Sequence, residues 1–304
     1  MIIKGSQVSI IFCVWLYLLS GCSAKQNSFD NIDLKKVDQL IGVQRINSRS
    51  LLVNFGYDAI TAIDTDQGIV VIDAGISTVI TSRYRKRIEN VLQKDHFIYV
   101  INTHGHHDHA GGNAVFTHAR LVGHENCSVD LSERWTNRSA SMASLSNIIR
   151  DYERQLAEST PNSDEWYDNY TQKTRYMSSY SDLNNNVPAR LPDIIFSDSL
   201  TLTTGDTTFE MFYFGKSHSN SDIMIFIPEL KLIFTGDLFS KFGRPGINAT
   251  TIDEARSRQA ILWIQKRMDK IEKVIGGHGQ ILSPDDLKQF YNNILSSFSA
   301  ENIN

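Results

Sequence analysis

The 304 residues suffice for one large domain or two small ones. Hydrophobic residues make up 41% and charged residues 21%, with 6 Pro and 18 Gly, which excludes a disordered or collagenous chain. A formal net charge of −4 argues against a nucleic-acid partner and implies no polyanion of any kind.

In chain order, Lys4 is followed by an apolar run, Val8 to Leu19. At about 1.5 Å per residue it falls short of a bilayer core of roughly 30 Å and has the length of a signal peptide. It ends in Leu19-Ser20-Gly21-Cys22, which resembles a bacterial lipobox. The resemblance implies cleavage after residue 21 and lipidation of Cys22, with several acyl chains giving a durable membrane anchor. The protein is then expected to be exported and membrane-anchored, facing the periplasm or the cell exterior. Ser23 rather than Asp after the cysteine fits the outer membrane in a Gram-negative host. Residues 22 to 44 read as the lipidated N-terminus and a polar tether, and 45 to 300 as the main domain. Cys13 and Cys22 lie in the first 22 residues, so Cys127 stands alone in the body and no disulfide framework is possible there.

Short β-like runs follow at Leu51 to Phe55, Ile60 to Asp64 and Gly68 to Asp73, the last continuously apolar. The spacing of Tyr84, Ile88, Val91 and Leu92 predicts a helix over Ser82 to Lys94. A buried strand, Phe97 to Asn102, runs into THGHHDHAGGN, and another covers Arg120 to Gly123. About 126 to 185 reads as a helical insertion or lid with Trp135, Trp166 and several tyrosines, which either cover a substrate or simply pack on the core. Strands are expected again at Ser199 to Thr203, Thr208 to Phe214, Ile223 to Pro228 and Leu232 to Thr235. Thr251 and Glu254 form a capping-box pattern opening a helix to about Lys270, with Ile261, Ile264, Met268 and Ile271 on its buried stripe. A strand, Lys273 to Ile275, then leads into GGHG. Ser283 and Pro284 open a last helix that turns Leu287, Phe290, Tyr291, Ile294 and Leu295 to one side. Strands-then-helix thus occurs twice, which suggests a two-layered sheet core flanked by helices.

His104, His106, His107 and His109, with Asp108 between, put four of the chain's nine histidines into six positions directly after an apolar strand. Imidazole nitrogens and a carboxylate suit a borderline divalent cation such as zinc. Three more ligand-type residues, His218, Asp237 and His278, follow expected strands, where functional groups of α/β sheets gather. Glycines 236, 276, 277 and 279 offer the tight turns such a site needs. His107 occupies the variable slot of the cluster and reads as turned away, while His96, His118 and His124 lack ligand spacing and read as structural.

The pattern H-x-H-x-D-H followed by single His, Asp and His resembles the metallo-β-lactamase-fold hydrolase superfamily over roughly residues 45 to 290, including the Asp73 strand end. The resemblance implies an α/β fold, a four-layer αβ/βα sandwich carrying the helical insertion. It also implies two divalent metal ions, zinc by preference. His104, His106 and His218 would hold one, and Asp108, His109 and His278 the other, with Asp237 bridging both. A hydroxide shared by the metals would attack the substrate. Asp108 would orient it, and Asp237 would take a proton as the leaving group departs, which makes these two the catalytic carboxylates. No GxSxG motif occurs, and Cys127 reads as a packed, inert thiol.

β-Lactamases of this superfamily lack a bridging Asp, and the best-known subclass has a Cys in its place, so the pattern sits closer to lactonases, thioesterases, phosphodiesterases and alkylsulfatase-like members. A small-molecule substrate with an ester-type bond is the leading expectation. β-Lactam hydrolysis, mononuclear-iron oxidation of the persulfide dioxygenase type and a non-catalytic metal-binding lipoprotein are the rivals. Lys241 and Arg244, just after Asp237, read as a clamp for an anionic substrate group or as a solvated pair. The sequence is silent on oligomeric state.

Overall fold

The structure, a computed structural model, describes residues 31–238 and 253–300. The expected signal peptide, Cys22, Lys241, Arg244 and Thr251 lie outside the described residues.

The first half opens with α1 (Leu34–Leu40), β1 (Gly42–Asn47), β2 (Ser50–Phe55), β3 (Asp58–Thr65) and β4 (Gly68–Ile72), then α2 (Thr78–Leu92) and β5 (Phe97–Ile101). A single helical turn, α3 (His107–Ala110), precedes β6 (Arg120–His124), and three helices follow: α4 (Cys127–Thr136), α5 (Arg138–Glu158) and α6 (Asp164–Asn184). β7 (Ile194–Phe196) completes a seven-stranded sheet in chain order, antiparallel through β4 and parallel from there on.

The second half begins with an antiparallel meander of β8 (Ser199–Thr204), β9 (Thr207–Tyr213), β10 (Ile223–Ile227) and β11 (Leu232–Gly236). α7 (Glu254–Gln265) crosses to β12 (Lys273–Gly276), which pairs parallel with β11. β13 (Ile281–Leu282) forms the edge of this six-stranded sheet, and α8 (Pro284–Ala300) ends the fold.

Alternation along the central strands explains the layering. In β4, Val70 and Ile72 enter the core between the two sheets, while Ile69 and Val71 face the outer core with Ile80, Tyr84 and Ile88 of α2. In β10, Ile223, Ile225 and Ile227 point inward, and Met224 and Phe226 pack with Ile261 and Ile264 of α7 and Phe290 and Ile294 of α8. Such strands are buried on both faces, which is why they read as unbroken apolar runs. The result is the expected helix–sheet–sheet–helix sandwich.

Three sequence expectations are corrected. Residues 34–44 are not tether: Asp33 caps α1 by accepting from the Lys36 N–H, and β1 pairs with β2 from Gly42 on. α2 starts at Thr78 because the Ser77 hydroxyl accepts from the Ile80 N–H, and Val91, placed on the apolar stripe, is exposed. α7 is capped by Asp253, accepting from the Arg256 N–H, and ends at Gln265, so Met268 sits in a separate 3₁₀ turn. The last helix meets expectation: the Ser283 hydroxyl accepts from the Asp286 N–H, and the Asp286 carboxylate accepts from the Ser283 N–H.

Candidate metal centre

Each ligand-type residue stands just past the carboxyl end of a strand. His104 follows β5, His218 follows β9, Asp237 is the next residue after β11, and His278 comes two after β12. The remaining candidates, His106, Asp108 and His109, belong to the His104 loop, which closes into the single turn α3.

Three groups of side chains converge. His104, His106 and His218 form one, Asp108, His109 and His278 a second, and His104, His109 and Asp237 a third; within each, one ligand atom per residue lies within 4.8 Å of the others. Asp237 reaches both sides: its Oδ2 is 3.4 Å from His218 Nε2 and 3.1 Å from His278 Nε2, and its Oδ1 is 3.3 Å from His109 Nε2. Asp108 Oδ2 lies 4.0 Å from both His109 Nε2 and His278 Nε2. All seven residues named from the sequence are therefore brought together.

The donor set fits a cation. His104 Nε2, His109 Nε2 and Asp237 Oδ1 are buried yet have no hydrogen-bond partner, although they face one another. Buried polar atoms without partners are costly, and here they are the atoms a metal would take. The other ring nitrogens are already engaged, as metal-binding histidines require. His109 Nδ1 meets Asp73 Oδ2 at 3.0 Å, His104 Nδ1 meets Thr103 Oγ1 at 3.2 Å, and His278 Nδ1 meets the Tyr57 carbonyl at 2.6 Å.

Asp73 organises the loop. Its Oδ1 accepts from the Thr103 N–H at 2.7 Å, and it holds φ 61, a left-handed conformation unusual for a non-glycine residue. Glycine is required at two neighbouring places. Gly236 adopts φ +51, and a Cβ on Gly277 would lie 2.3 Å from Asp237 Oδ1.

The electrostatics follow from packing histidines and carboxylates together out of water. Burial holds the His104 and His106 imidazoles below their usual range, aided by His109 and His218 respectively. Burial also presses on His109, but the Asp237, Asp73 and Asp108 carboxylates overcome it and hold its pKa well above the usual value. Burial opposes ionisation of Asp108 and Asp237, and the histidines around them overcome that too, keeping both carboxylates ionised.

Sequence reasoning missed the buried support behind Asp108. Arg175 of α6 sits almost fully enclosed, its Nη2 3.7 Å from Asp108 Oδ2 and 3.8 Å from Asp58 Oδ1. Asp58 accepts in turn from the Tyr84 hydroxyl at 2.9 Å and the Ile76 N–H at 3.0 Å. Nothing in the sequence marks an arginine 67 residues after Asp108 as its neighbour; only the fold of the insertion does.

A cleft of about 420 Å³ opens beside the centre, between the His106-His107 turn and the insertion, with Arg134, Leu145, Ile148 and Tyr176 on its walls. His107 borders this cleft and belongs to none of the ligand groups; burial pushes its imidazole down to about 3. Of the insertion's aromatics, Tyr176 lines the cleft. Trp166 and Tyr170 stack at 5.3 Å around a separate hollow with Lys36, and Trp135 and Tyr180 pack within the insertion. Packing thus accounts for most of them. Cys127 is buried, which pushes its thiol up, and His124 stacks on Tyr213 at 3.8 Å, so both are structural.

The family described as the metallo-beta-lactamase superfamily matches residues 54–278. A search of curated proteins gives no match. Among solved structures, a metallo-β-lactamase from Pontibacter korlensis is 17% identical with a TM-score of 0.54, the match covering 83% of this chain and 99% of that one. The metallo-β-lactamase FIM-1 from Pseudomonas aeruginosa, in its mono-zinc form, is 13% identical with a TM-score of 0.55, over 83% and 93% of the two chains. The stereoselective inverting sec-alkylsulfatase Pisa1 from Pseudomonas sp. is 17% identical with a TM-score of 0.58, over 85% of this chain and 42% of that one. At these identities the likeness is one of fold.

Proposed function

The chain belongs to the metallo-β-lactamase superfamily, and from that premise we propose that it is a hydrolase using two divalent metal ions, zinc by preference, to cleave an ester-type bond in a small molecule. The carrying observation is that Asp237 touches both three-residue groups, so one carboxylate is placed to join two ligand sets. His104, His106 and His218 would hold one ion, and Asp108, His109 and His278 the other. Such ions supply an activated water at neutral pH and polarise the scissile group.

The chain's own residues do the rest. Asp73, Thr103 and the Tyr57 carbonyl fix the ring orientations of His109, His104 and His278. Arg175 approaches Asp108 at Oδ2, the oxygen that also faces His109 and His278. Asp237 would receive a proton as the leaving group departs, and the cleft beside His106 would take the substrate's body. Lipidation at Cys22, anchoring the enzyme at a membrane outside the cytoplasm, belongs to the same proposal; Cys22→Ser would release the protein from the membrane fraction.

Elemental analysis and a panel of lactone, thioester, phosphodiester, sulfate ester and β-lactam substrates test the proposal. About two zinc per chain with chelator-sensitive ester hydrolysis is the expected result. One iron per chain without hydrolysis would overturn it in favour of oxygen chemistry, and metal without turnover of any kind would leave a binding protein.

A further inference from the structure

The insertion carries two largely buried arginines near the centre, Arg175 against Asp108 and Arg134 on the cleft wall, and they differ in whether a carboxylate pairs with them. Arg175 is committed to Asp58 and Asp108. Arg134 of α4 donates from Nη2 to the Ser179 hydroxyl and lies 5.8 Å from the centre of the Trp135 ring. No carboxylate among the described residues ion-pairs with it, and its Nε has no hydrogen-bond partner. Burial draws its guanidinium down to about 10, so it remains charged at neutral pH. A largely buried cation without a paired anion is costly to keep unless something else supplies the anion.

Arg134 also lines the cleft, beside the metal-ligand candidate His106 and across from Leu145 and Ile148. Asp108 and Asp182 lie near enough to favour its charge, but neither forms an ion pair with it, and the acidic residues on the cleft wall do not either. Asp130 is occupied by the Ser221 hydroxyl at 2.7 Å and the Asn220 amide at 3.1 Å, and Glu133 is exposed. Volume and lining suit a medium-sized molecule with an apolar body. One guanidinium without an ion-paired carboxylate, near two acidic neighbours, suits one negative charge better than two, and its planar fork matches a carboxylate.

We propose that this cleft binds a substrate or product with an apolar body and one carboxylate, the carboxylate resting on Arg134, which makes Arg134 a specificity-determining residue. The inference rests on reading the neighbouring centre as hydrolytic, because only then does the cleft hold the reacting molecule. It narrows the substrate class to organic monoanions, or to neutral esters and lactones whose hydrolysis leaves a carboxylate in the cleft.

The test is titration calorimetry of the whole metal-loaded protein with octanoate and with octanol as its neutral counterpart. Octanoate is expected to bind about tenfold more tightly than octanol, the range of one charge-assisted hydrogen bond. Arg134→Met should erase that preference while retaining the wild-type metal content, and Arg134→Lys should keep a few-fold of it because charge survives and the fork does not. Absence of the preference in the wild type, or its persistence in Arg134→Met, would overturn the proposal, the latter by showing that the metals or another cation hold the anion. Should Arg134→Met lose its metal or fail to fold, the wild-type comparison and Arg134→Lys still decide. A protein that binds octanoate as expected but hydrolyses nothing would sink the hydrolase reading alone, whereas active enzyme without anion preference would sink only this inference.

Discussion

Asp73 and Asp237 occupy matching places in the two halves of the fold and do different work. Each follows a strand, β4 or β11, whose parallel partner, β5 or β12, leads into a histidine of the centre. Asp73 spends both oxygens on protein partners, Thr103 and His109 Nδ1, and so orients the His109 ring. Asp237 makes no hydrogen bond with Oδ1, which faces His109, and turns Oδ2 toward His218 and His278, so it is itself a ligand candidate. The lesson is that position in a repeated topology brings a carboxylate to the site, and the hydrogen bonds it has already made decide whether it holds a metal or holds a histidine. Breaking the comparison at its sharper end, Asp237→Ala should lower turnover at least about a hundredfold, beyond what losing an orienting partner costs, and reduce metal content. Unchanged metal content and turnover would show that Asp237 joins nothing.

Next in size is the support behind Asp108. Arg175→Met strands Asp58, which is fully buried, and removes the charge behind Asp108, so unfolding should become easier by about 3–5 kcal/mol, the cost of breaking a buried ion pair. Adding Asp58→Asn to Arg175→Met should recover part of that loss in denaturant unfolding, because the stranded charge is then gone. A double variant no more stable than the single one would show that Arg175 contributes by packing alone. Asp73→Asn is the gentler break: it should cost about 10–100-fold in metal affinity while leaving all ligands in place, the effect of losing an orienting partner. If Asp73→Asn matched Asp237→Ala in metal lost, the distinction between the two aspartates would fail.

The two halves also differed in how openly the sequence declared them. His104, His106, Asp108 and His109 are legible because one short loop carries them all, so their chemistry is a local pattern. His218, Asp237 and His278 became visible only as strand-end residues in the right order, which needed the apolar runs before them. The strands themselves were readable because burial on both faces leaves unbroken aliphatic stretches in β4, β10 and β11. α1 and β1 were not, because five of β1's six residues are at least partly exposed and Val37 alone is buried in α1, so neither carries a core-like pattern. Arg175 and Asp58 were invisible for a further reason. Their pairing depends on how α6 lies against β3 and α2, and no local spacing encodes a contact between elements so far apart in the chain.

The smallest and most diagnostic prediction concerns pH. In the metal-free protein Asp237, Asp73 and Asp108 together hold the pKa of His109 well above its usual value, so His109 keeps its proton at neutral pH. A group whose folded pKa is raised stabilises the fold fully below its unfolded value, near 6.5, and loses that contribution as pH rises through the folded value. Metal binding runs the other way: Nε2 must shed the proton to become a ligand, so affinity should climb with pH, by at most about tenfold per unit for this one proton, until His109 is neutral on its own. The melting temperatures of metal-free and metal-loaded protein should therefore separate as pH rises from 6.5. Asp73→Asn sharpens the test, since removing one of the three carboxylates brings the His109 pKa down and moves that separation to lower pH. Asp73→Asn with an unshifted separation would mean that Asp237 and Asp108 alone set the charge of His109, and that Asp73 acts on the centre only through geometry.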